Sequence, residues 1–525
     1  MEIPLLVTDF LSRAAALYPE KVAIIDGEQR LTYAEFERRS KRLAQALVHA
    51  GVEKGDRVCI LSPNSHFFLE SFYGVSQIGA VLVPLNYRLV AGDHEYIINH
   101  AGVKVLLVDQ DYVEMIDAIR EALGSVTTWV VAQEDQEAPA GWVNWERWIA
   151  GAPDRALPDP GLRETDLVSI NYTSGTTARP KGVMLSHRNC YLNAYNLTVH
   201  LGVCHDDVAL WTLPMFHCNG WGGVYALTGL GATHVVLRSV DAQAIFGLIE
   251  GHGVTFACMA PTVLNTILEY SGRDRHTITT RPRFVVAGAP PPAAFIERLE
   301  KELGWDFIEI YGLTETSPLL TVTPVDHLTR REDYGRRSRA GIPVTGVALK
   351  VCDEQGIPVS QDDRAIGEVC ARSNVIFEGY WKQPQATAEA LRDGWFHTGD
   401  LATWDASGSI NIVDRKKDVI ISGGENISSP ELEAVLYEHP SVLECAVIGV
   451  PDARWGETPK ALVVRRQGGE ASEAELITFC RERLAHFKCP TSVAFLEALP
   501  RTATGKLQKF KLREQYWESQ SKRVN

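Results

Sequence analysis

The chain has few of the residues that staple small secreted folds: ten cysteines are spread over 525 residues, and no two form a CxxC pair. That excludes a disulfide framework, a zinc ribbon and a thioredoxin-like redox pair. Cys204, His205, His217 and Cys218 come nearest to a metal cluster. They lack the tight ligand pairs of zinc sites, so buried cysteine is the expected state. The start, MEIPLLVTDF, has no basic residue and carries Glu2 and Asp9, which argues against a secretory signal and makes the cytoplasm the expected compartment. An unbroken apolar run is missing too. Residues 208–237 contain no Asp, Glu, Lys or Arg, yet Pro214, His217, Asn219, His234 and five glycines interrupt them. A buried strand, a loop and a packed helix are expected there, not a membrane span. Positive charge is also short: 52 Lys and Arg against 66 Asp and Glu leave a net charge of −14. Such a surface repels nucleic-acid backbones and suits a free small-molecule substrate.

What is present is the balance of a soluble globular chain, with 45% apolar and 22% charged residues, long enough for several structural units. Residues 33–50 carry apolar side chains at helical spacing, Gly51 stops them, and RVCIL (57–61) reads as a strand. FFLESFYGVSQIGA then leads into VLVPL, and HEYIINHAG into VKVLLV. This alternation predicts an α/β architecture, parallel sheets covered by helices. A Pro/Gly-rich stretch at 151–163 divides that block from a second, with strands in DLVSINY, VTFACMA and RFVVAGA. From Asp414 the pattern changes to charged turn, short strand and helix, which predicts a small C-terminal domain. Its first helix is expected to be capped by Ser429, with Pro430 at the first position and Glu431 and Glu433 favoured by the helix dipole.

The most informative segment is YTSGTTARPKGV, residues 172–183, directly after the apolar VSIN. Small residues let backbone N–H groups approach an anion, the hydroxyls of Thr173, Ser174, Thr176 and Thr177 add donors, and Lys181 adds charge. That combination describes a polyphosphate cradle. It is not a Walker loop, because Pro180 precedes Lys181 and Gly182 follows it. A plain connector between strand and helix is the alternative for such a stretch taken alone.

Further motifs follow in a fixed order: YGLTET (311–316), GWFHTGDLA (394–402), DRKKDVIISGGENISSPELE (414–433) and PRTATGK (500–506). Together with the first segment they resemble the signatures of the adenylate-forming superfamily, which holds acyl-CoA synthetases, aryl-CoA ligases, luciferases and peptide-synthetase adenylation domains. The resemblance spans essentially the whole chain, with Ala178 standing where the family commonly has glycine. It implies a large N-terminal domain of helix-covered sheets (1–413), a hinge (414–417) and a smaller, mobile α+β C-terminal domain (418–525).

The resemblance also implies roles. ATP, Mg²⁺ and coenzyme A would be bound, and a free carboxylic acid would be activated as its adenylate and passed to the thiol. Thr173, Ser174, Gly175, Thr176, Thr177 and Lys181 would hold the β- and γ-phosphates. Thr314 would touch the α-phosphate, and Glu315 would bind Mg²⁺, an ion suited to oxygen ligands and phosphates. Tyr311, with Gly312 beside it, and the backbone of Gly288, Ala289 and Pro290 would enclose adenine. Asp400 and Arg415 would serve the ribose. Lys506 would neutralise charge during adenylation; only the motif separates it from Lys509 and Lys511 in a tail (501–525) with seven Lys and Arg against two Glu. Lys417 matches the hinge, and Gly423 and Gly424 the pantetheine tunnel.

PMFHCNGWGGVYAL (214–227) matches the stretch that lines the acyl pocket, and His217, counted with Lys506, Thr314 and Glu315 among the catalytic groups, stands where amino-acid-activating relatives carry an aspartate. An α-amino acid would therefore bring an unpaired buried charge. Gly220, Gly222 and Gly223 either leave room beside Trp221 or serve close packing. A medium-chain fatty acid is the expected substrate, with an aryl acid of the benzoate or cinnamate type as the alternative. A luciferase-like oxygenase, a phosphotransferase and a non-catalytic nucleotide binder are the competing classes, and a homodimer stays open.

Overall fold

Helix and strand alternation in the first three hundred residues builds two mainly parallel sheets. The computed structural model describes residues 3–134, 137–173, 179–288, 291–324, 329–415, 418–422, 425–452, 454–501 and 507–517. In the first sheet Leu167–Thr173, Val81–Leu85, Arg57–Leu61, Val103–Asp109, Thr128–Ala132 and Val143–Asn144 run parallel, and Lys181–Ser186 and Gly379–Tyr380 form an antiparallel edge. In the second, Asp306–Gly312, Arg283–Val286, Phe256–Met259, Val208–Trp211, Thr233–Val236 and Val22–Asp26 are parallel, with antiparallel strands at both ends. Sheets covered on both faces use continuous apolar strands, and VLVPL at 81–85 is buried at every position.

The helix His66–Ser76 explains why the two sheets share one core. All eleven of its residues are buried, and it packs on strands of both sheets. The neighbouring helix Tyr33–His49 starts at a capping box, with Thr32 and Glu35 satisfying each other's backbone N–H, and turns Tyr33, Phe36, Leu43 and Leu47 inward.

A third, antiparallel sheet contains Ala348–Cys352, Gly367–Arg372, Trp395–Trp404, Leu391–Arg392 and Ile410–Arg415. The fourth sheet belongs to the C-terminal part and holds Glu425–Ile427, Ile420–Ser422, Gly456–Arg465, Val442–Asp452 and Ser492–Phe495. Its first helix, Ser429–Tyr437, is capped by Ser428, not Ser429: Ser428 Oγ accepts from Glu431 N at 3.3 Å. Ser429 is the first helical residue, and its hydroxyl donates to Asp414 Oδ2 at 2.5 Å, drawn inward by a buried carboxylate that the local sequence does not reveal. Among the described residues no helix is long and apolar enough to cross a membrane.

Residues 208–237 form a strand (Val208–Trp211), two short helical turns (Cys218–Trp221 and Gly223–Leu230) and a second strand (Thr233–Val236). Gly223–Leu230 is the packed helix expected there, buried at all but its last residue, and the short piece before it is not regular α-helix. Cys218, Asn219, Gly220, Trp221 and Gly222 all have positive φ, between 47° and 78°, so the chain coils left-handed through this stretch. Cys204 is exposed instead of buried.

Candidate active site

The phosphate-loop segment joins two antiparallel strands, not a strand and a helix. Thr173 and Lys181 are register partners at the mouth of that hairpin, and Ser174, Gly175, Thr176 and Thr177 between them lie outside the described residues. The helix follows only after the second strand, at His187–Leu201, capped by Ser186 and Asn189. Lys181 Nζ lies 4.8 Å from the ring centre of Tyr380, on the next strand of the same edge. Tyr380 in turn donates its hydroxyl to Glu315 Oε1 at 2.8 Å. Burial and then the Glu315 carboxylate push the Tyr380 phenol well up, so it stays a neutral donor.

Glu315 sits in a single helical turn, Thr314–Thr316, that follows the strand Asp306–Gly312. Gly312 makes the turn possible. A Cβ there would lie 1.7 Å from the Pro318 carbonyl oxygen, so a side chain of any size is excluded. Thr316 Oγ1 accepts from Leu313 N at 2.9 Å, and Phe377 N donates to the Glu315 carbonyl at 2.9 Å. Thr314 and the side chain of Glu315 are thus held from both flanks, beside Lys181.

Tyr311, one residue before Gly312, donates its hydroxyl to Asp400 Oδ2 at 2.7 Å. Burial and the carboxylate raise its pKa far above the phenol's ordinary value, which keeps the proton on Tyr311. Asp400 and Arg415 are register partners on adjacent strands, and Arg415 Nε lies 3.4 Å from Asp400 Oδ1. The turn before Asp400 is pinned as well: Asp400 N donates to Thr398 Oγ1 at 3.1 Å and Gly399 N to Glu368 Oε1 at 3.1 Å. A phenol from the second sheet and a carboxylate and guanidinium from the third therefore meet at one point. Gly288 is exposed, two residues beyond the strand Arg283–Val286; Ala289 and Pro290 lie outside the described residues.

His217 lies at the start of the left-handed turn, and that turn hangs on the strand leading to the phosphate loop. Asn171 Nδ2 donates to Asn219 Oδ1 at 3.1 Å and to the Phe216 carbonyl at 3.4 Å, while Asn219 Nδ2 donates to Ser169 Oγ at 2.9 Å. Cys218 Sγ lies 3.8 Å from the Thr314 carbonyl, which brings the acyl segment against the Thr314 turn. Two of the three glycines do not leave room, whereas a Cβ on Gly223 would meet only ordinary contacts at 3.4 Å and beyond. A Cβ on Gly220 would lie 2.4 Å from the Trp211 ring, and one on Gly222 2.1 Å from Asn193 Nδ2, so close packing is their use.

Lys417, Gly423, Gly424 and Lys506 lie outside the described residues. Arg501 and Leu507, which flank the last of them, form a β-bridge. Lys509, in the same basic tail, is mostly withdrawn from solvent: its Nζ donates to Ser429 Oγ and lies 2.8 Å from Glu433 Oε1. Burial alone would lower its pKa, but Glu433 and Asp414 outweigh that and raise it. Sequence reasoning also missed Tyr380, whose signal was available in FEGYW (377–381), an apolar stretch too short to read as an element.

The family model of the AMP-binding enzyme matches residues 11–381, and that of the AMP-binding enzyme C-terminal domain matches 431–506. The chain is 39% identical over 518 residues to 4-hydroxybutyrate–CoA ligase 2 of Metallosphaera sedula, covering 96% of this chain and 93% of the relative. It is 37% identical to the peroxisomal trans-cinnamate:CoA ligase of Petunia hybrida, covering 98% and 94%. Its fold superposes with a TM-score of 0.90 on the anthranilate CoA ligase AuaEII in complex with anthranoyl-AMP, at 29% identity and 98% coverage of both chains. With both family models matched in order over most of its length, the chain belongs to the AMP-binding enzymes and is an AMP-forming acid–thiol ligase.

Proposed function

We propose that this ligase activates a short- to medium-chain aliphatic acid, from butyrate to octanoate, and that residues 1–413 bind ATP and the acid while 418–525 move about a hinge at 414–417. The observation that carries the site assignment is the convergence on one short segment, 311–315, of Asp400 and Arg415 from one side and Lys181 and Tyr380 from the other. Thr173, Lys181 and the intervening loop residues hold the β- and γ-phosphates. Thr314 donates to the α-phosphate. Tyr311 offers its ring to adenine, beside Gly288, Ala289 and Pro290, and Asp400, oriented by Tyr311, accepts from the ribose hydroxyls with help from Arg415.

The donor set at Glu315 is a carboxylate braced by a phenol, all oxygen, which fits Mg²⁺. When bound, that ion neutralises phosphate charge. An acid carboxylate oxygen attacks the α-phosphorus, and the bond to the β-phosphate oxygen breaks with pyrophosphate leaving. Lys506 stabilises the charge that develops in this step. A thiolate of coenzyme A, reaching the site past Gly423 and Gly424, then attacks the acyl carbonyl and AMP leaves. Lys417 serves the hinge between the two steps.

His217 in place of an aspartate disfavours α-amino acids, because their ammonium would lack a carboxylate partner. The packed Gly220 and Gly222 withdraw the space that a long chain would need beside Trp221, which moves the expected optimum toward the short end of the range. An aryl acid is the second reading, favoured by the similarity to a cinnamate ligase and an anthranilate ligase. The test is kcat/KM for butyrate, hexanoate, octanoate, 4-hydroxybutyrate, benzoate, cinnamate and alanine, scored as acyl-CoA and AMP formed with ATP and Mg²⁺. Butyrate or hexanoate is expected to lead and alanine to be inert. A lead of ten-fold or more for benzoate or cinnamate would replace the aliphatic reading with the aryl one.

A further inference from the structure

Outside the site described above, the third sheet gathers four metal-ligating atoms that the reaction does not use. Pairing places Lys350 opposite Cys370 and Cys352 opposite Glu368, and Cys370 opposite His397 on the next strand, so all five side chains share one face. The donor atoms meet in a chain: Cys352 Sγ to Cys370 Sγ is 3.1 Å, Cys370 Sγ to His397 Nδ1 is 3.4 Å, and His397 Nδ1 to Glu368 Oε2 is 3.2 Å. Both thiols are buried and free, while Glu368 and His397 keep a narrow opening to solvent.

We propose that Cys352, Cys370, His397 and Glu368 form a binding site for one thiophilic divalent cation, zinc by preference. Tetrahedral zinc with bonds of about 2.0–2.3 Å sets its donor atoms about 3.3–3.8 Å apart. The donor atoms of Glu368, Cys370 and His397 already lie within 4.8 Å of one another, and Cys352 Sγ, 3.1 Å from Cys370 Sγ, would swing inward as the fourth ligand. The chemistry of the donor set is soft sulfur and imidazole with one carboxylate, which suits zinc and not Mg²⁺.

A positive charge already lies against this cluster. Arg392 Nη2 lies 2.8 Å from His397 Nδ1 and 3.5 Å from Glu368 Oε2. With Arg392 donating to Nδ1, its guanidinium charge sits against two acceptors, Nδ1 and Oε2, that are 3.2 Å apart. Arg392 is half exposed and can swing out. A divalent ion in its place would take the lone pairs of Nδ1, Oε2 and both sulfurs, and the two thiol protons would be released. Glu368 Oε1 holds Gly399 N, next to Asp400, so the bound ion would also stiffen the turn that carries Asp400. This site stands independently of the reading of the acid.

The experiment uses the purified full chain, reduced, freed of metal by dialysis against a chelator and titrated with Co²⁺, whose thiolate complexes absorb. The expected result is one Co²⁺ per chain with a sulfur-to-cobalt charge-transfer band, its displacement by Zn²⁺, and its loss in Cys352→Ser/Cys370→Ser. In the unaltered chain, Zn²⁺ should slow alkylation of Cys352 and Cys370, read by peptide mass spectrometry, by about ten-fold or more. Arg392→Ala should tighten Co²⁺ binding. No charge-transfer band, a band of equal strength in the double variant, unchanged alkylation, or a Cys352–Cys370 disulfide in freshly isolated protein would each overturn the proposal.

Discussion

The proposed nucleotide side and the proposed acyl side of the site are built on opposite plans. On the nucleotide side, side chains from three sheets brace one another: Tyr311 with Asp400, Arg415 with Asp400, Tyr380 with Glu315. On the acyl side the backbone does the shaping, through five consecutive positive-φ residues packed on Trp211 and Asn193. The first plan is expected to depend on its functional groups, and the second to be broken by an added methyl group at Gly220 or Gly222.

Substitutions should break this contrast in graded ways. Lys506→Ala is expected to slow adenylation by about 10²–10³, as loss of a transition-state donor does, while acyl-adenylate supplied with coenzyme A is turned over normally; equal damage to both steps would remove Lys506 from the first. Gly222→Ala should cost about 2–4 kcal/mol of stability, combining left-handed strain with overlap on Asn193, and show in the thermal midpoint. Were Gly222→Ala to change only the acid preference, the backbone account of the acyl side would fail. Asp400→Ala should raise the KM for ATP about 10–100-fold, because a charge-assisted hydrogen bond is lost and Tyr311 is left without its acceptor. Tyr380→Phe should cost about 1.5 kcal/mol in kcat/KM and raise the Mg²⁺ needed for half-maximal rate, since it removes one hydrogen bond to the Glu315 carboxylate.

The smallest effect is pH-dependent and falls on the acyl side. Trp211 Nε1 donates to His234 Nδ1 at 3.1 Å, and Thr228 Oγ1 lies 3.0 Å from Nε2, so the ring is neutral with its proton on Nε2. Burial lowers its pKa from about 6.5 to about 3. The unfolded chain therefore takes up a proton near pH 6.5 that the fold refuses, and stability present above that pH is lost as pH falls toward 3. Between pH 7.5 and 6 this residue should cost under about 1 kcal/mol, and His234→Gln, read by denaturant melts at both pH values, should flatten that part of the profile.

This contrast also explains what could be read from the sequence. Continuous apolar strands and helical periodicity announced the two parallel sheets, and five ordered motifs announced the nucleotide side, because there function lies in side-chain chemistry. The acyl side was less legible. A glycine reads the same whether it opens a pocket or permits a left-handed turn, and only Trp211 and Asn193, brought in from elsewhere in the fold, decide between them. Tyr380, the cap at Ser428 and the ion pair of Lys509 were hidden for a related reason: each depends on a partner outside its own segment, namely Glu315, Asp414 and Glu433. Cys352 and Cys370 stand eighteen residues apart and meet only through strand pairing.

The most direct measurement of the whole account is acid-dependent exchange of labelled pyrophosphate into ATP in the absence of coenzyme A. Reversible adenylate formation at the Tyr311–Asp400 and Lys181–Glu315 site predicts exchange with butyrate or hexanoate, slowed about 10²–10³-fold in Lys506→Ala. Absence of exchange with every acid tested, or release of ADP in place of AMP, would contradict it.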